Sequence, residues 1–223
     1  MLRKLTKKIL EITYKPLILS YLKKERRFRY RKLHFVVYPG IFHPLFFNSS
    51  LILAKFITKK PLAGQKVLEI GSGSGFISVL MAQKGASVTA IDLDPLAVEN
   101  TIANSKLNNL TINCFQSDLL QNVPVGDFRY IIINPPYYPQ NPTKNQDLAW
   151  YCGQNFEYFR GLFVQLIPYY KSETEIFMIL SQDVNVSYIN SLAGEQQQQL
   201  SKVATVFKGL ERNSIYQLSL LPS

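Results

Sequence analysis

Soft metal ligands are scarce in this chain. Two cysteines (Cys114, Cys152) and two histidines (His34, His43) are all that 223 residues provide. With no CxxC pair, neither a zinc site nor a disulfide framework is expected, and no metal is assigned. Long apolar runs are missing too, none approaching the roughly 18 residues of a membrane span. The opening MLRKLTKKILEITYKPLILS alternates basic and apolar residues. It lacks an uninterrupted apolar stretch before a small-residue cleavage site, which excludes a secretory signal. It shares its basic, acid-poor character with mitochondrial presequences but is lysine-rich and short of serine. A reducing cytoplasm is the expected location.

What is present describes a globular domain, 47% hydrophobic and 18% charged. Its charge is unevenly placed. Residues 1–32 hold twelve of the 25 Lys and Arg against Glu11 and Glu25, a net of +10, and the rest of the chain is neutral. Within this arm Leu2, Leu5, Ile9 and Ile12 recur at helical spacing. KKERRFRYRKLHF then interleaves cations with Phe28, Tyr30 and Phe35. Residues 1–60 are therefore expected to form a basic helical arm and lead-in, and 61–223 the main domain. Charge for phosphates and rings for unstacked bases suit RNA or DNA, with Arg26, Arg27, Arg29 and Arg31 as candidate contacts. A solvated helix packed on the domain, or an anionic membrane surface, are the other uses of such an arm.

After Gly64 strand and helix signals alternate. KVLEIG and SVTAID read as strands, GFISVLMAQKG as a helix with a glycine stop. DPLAVENTIANSKLN reads as a helix with Asp94 at its cap and Pro95 at its first position. TINCFQ and YIIIN are further strands, the latter apolar on both faces as a central parallel strand is. QNFEYFRGLFVQLIPYY is helical with Phe156, Phe159, Phe163 and Ile167 on one stripe, EIFMILS a strand, and VSYINSLAGEQQQQL a helix. KVATVFKGL and NSIYQLSLL close as a strand pair. Alternating units of this kind imply an α/β, doubly wound, mostly parallel sheet.

EIGSGSGF places Gly71, Gly73 and Gly75 between the first strand of that domain and the helix after it. Such a loop lets backbone approach a ligand closely, with helix amides facing it. The dinucleotide fingerprint GxGxxG fails, since Phe76 stands at its third glycine. Asp92 ends the next strand, within reach of a ribose diol, and Asp118 ends the third, where it can accept from an adenine amine. Three features at successive strand ends beside one glycine loop form a ligand edge.

The remaining motif is NPPYY, Asn134 to Tyr138, directly after three isoleucines. VLEIGSGSGF, IDLDPLAVENTIANSKLN, SDLL and NPPYY, in this order, resemble class I S-adenosylmethionine-dependent methyltransferases, whose seven-stranded Rossmann-like sheet the resemblance implies. The NPPY tetrad resembles the subset that methylates planar nitrogens: base amines in DNA or RNA, and the glutamine amide of release factors. LAWYCGQN (148–155) and VVYPG (36–40) are similar to segments of the HemK-like glutamine methyltransferases. The resemblance implies S-adenosylmethionine as cofactor. It places Glu69, Gly71, Gly73, Gly75, Asp92, Leu93, Asp118, Leu119 and Asn134 around that cofactor.

The chemistry explains the tetrad. A planar nitrogen has a delocalised lone pair, so it must be held and aimed within about 3–3.5 Å of the methyl group. Asn134 and the carbonyl of Pro135 can accept its two hydrogens, which stabilises developing positive charge. Pro135 and Pro136 fix where that carbonyl points, and Pro136 has no N–H to compete for the acceptors. Tyr137 offers a ring face to the forming cation, with Tyr138 a further substrate contact. The charged arm favours a nucleic-acid base, which must be single-stranded or flipped to enter. The HemK-like stretch favours a protein glutamine, so an exocyclic base amine in RNA or DNA is the expected substrate and the glutamine amide its alternative. A non-catalytic adenosyl-ligand module is the alternative of another class, and the intact tetrad argues against it.

Overall fold

The computed structural model describes residues 23–46, 48–208 and 211–222. The helical stripe expected over residues 2–12 lies outside them. The described part of the basic arm is a hairpin of β1 (Arg26–Tyr30) and β2 (Leu33–Val37), paired antiparallel with Phe28 opposite Phe35. The alternation Phe28, Tyr30 and Leu33, Phe35 is a period-two signal. It puts the rings on one face, where Phe28 and Phe35 stack at 5.0 Å and both lie against Phe76.

Then follow α1 (Asn48–Ile57), β3 (Lys66–Ile70), α2 (Phe76–Gln83), β4 (Ser87–Asp92), α3 (Pro95–Leu107), β5 (Asn113–Gln116) and β6 (Tyr130–Ile133). The chain continues through α4 (Glu157–Leu166), β7 (Glu175–Ser181), α5 (Val186–Gly194), β8 (Gln198–Lys208) and β9 (Glu211–Leu220). The main sheet has seven strands in the order β5-β4-β3-β6-β7-β9-β8. β5, β4, β3, β6 and β7 run parallel, and β9 pairs antiparallel with both β7 and β8. The expected doubly wound, seven-stranded sheet is present.

Burial follows from the pleat. All four residues of β6 are buried, as a strand covered on both faces requires. Ile131 and Ile133 face a layer that includes Phe159, Leu162, Phe163 and Leu166 of α4 with Ile189 and Leu192 of α5. Tyr130 and Ile132 face the other layer, which holds Leu53 and Ile57 of α1, Phe76 and Leu80 of α2, and Phe35. Asp94 caps α3 by accepting from the amide of Leu96, with Pro95 at the first helical position.

Two expectations need correction. The buried stripe of α4 is Phe159, Leu162, Phe163 and Leu166, while Ile167 is exposed in the 3-10 turn that follows. The glutamine run also leaves the helix: α5 stops at Gly194, Gln197 adopts φ +56°, and β8 begins at Gln198. The Gln198 side chain explains this. It is buried, donates to the carbonyl of Phe163 at 2.6 Å and accepts from the Tyr170 hydroxyl at 3.0 Å. Those bonds satisfy a polar group that a helix surface would have left in solvent.

Candidate active site

Parallel strands deliver their carboxyl ends to one edge, and here a cavity of about 660 Å³ opens along it. The β3–α2 loop contributes to its lining. Gly71 and Gly73 have φ of +77° and +55°, a region costly for any residue with a Cβ. A Cβ added at either would have no protein atom within 4 Å. These glycines therefore make room in the cavity. Gly75 differs, because its φ of +72° is combined with a Cβ position 2.9 Å from the backbone of Thr101. It does not line the cavity but lets α3 pack against the loop, so of the three expected ligand glycines only two face the open space.

Asp92, at the end of β4, grips the same loop. Its carboxylate accepts from the amides of Gly73 (2.8 Å) and Asp94 (3.0 Å). Burial pushes its pKa up to about 6 although those amides pull the other way. Glu69 is buried under the loop and accepts from the Ser78 hydroxyl. Burial, opposed by that hydrogen bond and reinforced by Asp92, pushes its carboxyl up to about 8. Leu93, exposed Asp118 and Leu119 line the cavity beside them. Leu119 holds φ +50°, and Gly161 of α4 gives its side chain room, since a Cβ there would meet Leu119 Cδ1 at 3.0 Å.

Asn134, Pro135, Pro136, Tyr137 and Tyr138 follow β6 and line the same cavity. The amides of Tyr137 and Tyr138 both donate to the carbonyl of Trp150, at 3.2 and 2.9 Å, and Cys152 donates back to the carbonyl of Tyr138 at 2.9 Å. The LAWYCGQN stretch thus straps the tetrad in place. Asn134 Nδ2 donates to the Ser50 hydroxyl at 3.1 Å. Tyr137 and Tyr138 rings lie 4.9 Å apart, and burial keeps the Tyr137 phenol well above its ordinary pKa. Phe42 and Trp150, with ring centroids 5.2 Å apart, also line the cavity.

The expected cofactor and tetrad residues other than Gly75 converge on this cavity, whereas Arg26, Arg27, Arg29 and Arg31 lie outside its lining, on the hairpin. Arg27 and Arg29 are exposed, Arg27 pairs with Glu25 and Arg29 donates to the carbonyl of Arg31. Arg26 lies close enough to His43 to help burial lower that ring's pKa to about 4.

Sequence reasoning missed how the hairpin is attached. Asn100 and Asn104, one turn apart on α3, and Asn108 at its C-cap pair with the β2 segment as a neighbouring strand would. Asn108 Oδ1 accepts from His34 N (2.9 Å), Asn104 Oδ1 from Val36 N (2.8 Å) and Asn100 Oδ1 from Tyr38 N (3.0 Å). Their Nδ2 groups return to the carbonyls of His34 and Val36, and Asn104 also reaches the carbonyl of Ser74 in the glycine loop. Three asparagines at i, i+4 and i+8 were the available signal. Ser50 and the cavity-lining Tyr158 and Gln165 were missed as well, and no motif marks them.

A sheet of this order, with a glycine loop after β3, an acid ending β4 and an Asn-Pro-Pro-Tyr exit from β6, defines a class I methyltransferase. The model of the methyltransferase small domain matches residues 32–151, over half the chain, and this protein belongs to that family of S-adenosylmethionine-dependent enzymes. It is 33% identical over 171 residues to a provisionally named protein N5-glutamine methyltransferase of Methanocaldococcus jannaschii, a match covering 74% of this chain and 78% of the relative. It is 36% identical over 92 residues to the tRNA1(Val) (adenine(37)-N6)-methyltransferase of Shewanella loihica, covering 37% of this chain and 38% of that one. Among solved structures, the 16S rRNA N2 G1207 methyltransferase of T. thermophilus, in complex with AdoMet and guanosine, shares the fold. The TM-score is 0.61 at 19% identity, covering 89% of this chain and 51% of that one. Relatives thus stand behind both the glutamine and the base-amine interpretation of the tetrad.

The residues present fit S-adenosylmethionine. Gly71 and Gly73 leave a space that any Cβ would enter, and Asp92 and Asp118 place carboxylates beside it.

Proposed function

We propose that this protein transfers a methyl group to a planar nitrogen at Asn134 and Pro135, and that the nitrogen is a glutamine side-chain amide of a protein. One observation carries the reaction: the tetrad and the Gly71–Gly73–Asp92 group line one cavity, at the carboxyl ends of neighbouring strands. S-adenosylmethionine, when bound, supplies the electrophilic methyl group. Glu69, Gly71, Gly73, Asp92, Leu93, Asp118 and Leu119 would hold it. Asn134 Oδ1 and the Pro135 carbonyl accept the two N–H hydrogens of the incoming amide. Both acceptors favour the pyramidal, partly positive nitrogen over the flat one, so they act on the transition state. The Tyr137 ring covers the flat face, and its raised pKa keeps it a neutral phenol. No side-chain base is needed, because the nitrogen's extra proton can pass to solvent after transfer.

The glutamine assignment rests on the relative matched along most of both chains. A specific observation supports a second substrate, an exocyclic base amine in RNA or DNA. Lys23, Lys24, Arg27, Arg29, Arg31 and Lys32 are all exposed on or beside the hairpin, and the chain after β2 lines the cavity at Gly40–Phe42. Incubation with a labelled methyl donor plus protein or RNA fractions separates the two. Glutamine predicts label in a protein band and nucleic-acid association insensitive to salt. A base predicts label in RNA or DNA, binding that weakens steeply with salt, and loss of that binding when Arg26, Arg27, Arg29 and Arg31 become Gln. Label in neither fraction would defeat the proposal.

A further inference from the structure

Asn134 sits where the chain leaves β6, and its carboxamide has two chemically opposite ends. Only the oxygen can accept a hydrogen from a substrate nitrogen. Were the amide inverted, an NH₂ group would face another N–H donor, and the site would repel what it should hold. The terminal torsion of an asparagine is broad and nearly two-fold, so the backbone alone does not decide between these poses. The surroundings must.

Ser50 holds one end of that amide. It lies 84 residues away in sequence, in the first turn of α1, and is 5% exposed. Its Oγ accepts from Asn134 Nδ2 at 3.1 Å, and it lines the same cavity as the tetrad. The hydroxyl is rigidly presented, because Leu53, Ala54 and Ile57 anchor α1 in the core. We infer that Ser50 is a positioning residue: its hydroxyl pins one end of the Asn134 carboxamide, the NH₂ end in this structure, and so holds the other end, Oδ1, ready for the incoming nitrogen. This rests on the proposed methyl transfer at Asn134, and it extends the catalytic machinery to a helix outside the motif.

The test uses the full chain and four variants: Ser50→Ala, Ser50→Thr, Asn134→Ala and the Ser50→Ala/Asn134→Ala pair. Ser50→Ala should lower kcat about tenfold, as loss of one hydrogen bond to a transition-state acceptor implies, with cofactor affinity from calorimetry unchanged. Ser50→Thr, which keeps the hydroxyl, should recover most of that loss. In the Asn134→Ala background, removing Ser50 should cost nothing further, since there is no amide left to orient. A readout independent of turnover is the Asn134 side-chain amide pair in ¹⁵N NMR, assigned by its absence from Asn134→Ala. It should be sharp in wild type and Ser50→Thr, and shifted or broadened in Ser50→Ala. An unchanged pair in Ser50→Ala, or an equal drop in kcat with and without Asn134, would overturn the inference. If wild type methylates nothing, the proposed function fails while the amide signal still decides the role of Ser50.

Discussion

Gly73 and Gly75 stand two residues apart with similar positive φ, yet the structure assigns them different work. Replacing either by Ala puts a Cβ into the left-handed region, at roughly 1–2 kcal/mol. At Gly73 that is the whole cost to the fold, because the new methyl meets no protein atom within 4 Å. The methyl instead enters the cavity. At Gly75 it would lie 2.9 Å from the Cα, Cγ2 and Oγ1 of Thr101. Overpacking against a helix backbone adds about 1–3 kcal/mol, for a total of roughly 2–5 kcal/mol. Chemical denaturation without ligand and calorimetric titration with S-adenosylmethionine measure the two effects separately. Gly73→Ala should lower stability modestly and weaken cofactor binding by about tenfold or more, the cost of excluding a ligand from space it must fill. Gly75→Ala should show the larger loss of stability. If Gly73→Ala bound cofactor like wild type, the assignment of that space to a ligand would be refuted.

Asp92→Ala should raise the cofactor dissociation constant about tenfold or more, measured by titration calorimetry, because it removes an acceptor from the cavity and loosens the Gly73 amide it holds. Asn134→Ala should leave that constant near wild type and cut turnover about 10²-fold; undiminished methyl transfer would make Asn134 structural. Without ligand, stability should fall as pH rises through about 6 and on to about 8. The Asp92 and Glu69 carboxyls hold their protons more tightly folded than unfolded, so their contribution is full below about 4 and is lost through those values. Denaturation across this range should show the slope, and Glu69→Gln should flatten its upper part.

The sequence made the strand ends legible because each carries a residue whose chemistry is tied to place. Gly71, Gly73, Asp92 and Asn134 all fall where period and punctuation put them, and the cavity gathers them. The hairpin was harder. Cation runs in RRFRYRKLHF drew attention to charge, while the two-residue alternation beneath it set the structure, with Phe35 and Phe76 buried and Phe28 partly buried against them. Gly75 shows a limit of motifs, since spacing cannot tell a glycine that admits a ligand from one that admits a helix. Gln198 shows another: a residue type common on surfaces became a buried strand residue because Phe163 and Tyr170 satisfy it. Ser50 met Asn134 only through the packing of α1 on the sheet, which no local pattern encodes.

The central claim is that one cavity brings a methyl donor to a planar nitrogen. The most direct test is to incubate the protein with methyl-labelled S-adenosylmethionine and cell-derived protein and RNA, then locate the label by mass spectrometry of the digested products. The account predicts label on a side-chain amide nitrogen of glutamine, or on an exocyclic base amine if the second substrate is the true one, and none with Asn134→Ala. Label on carbon, oxygen or sulfur, or undiminished labelling by Asn134→Ala, would contradict it.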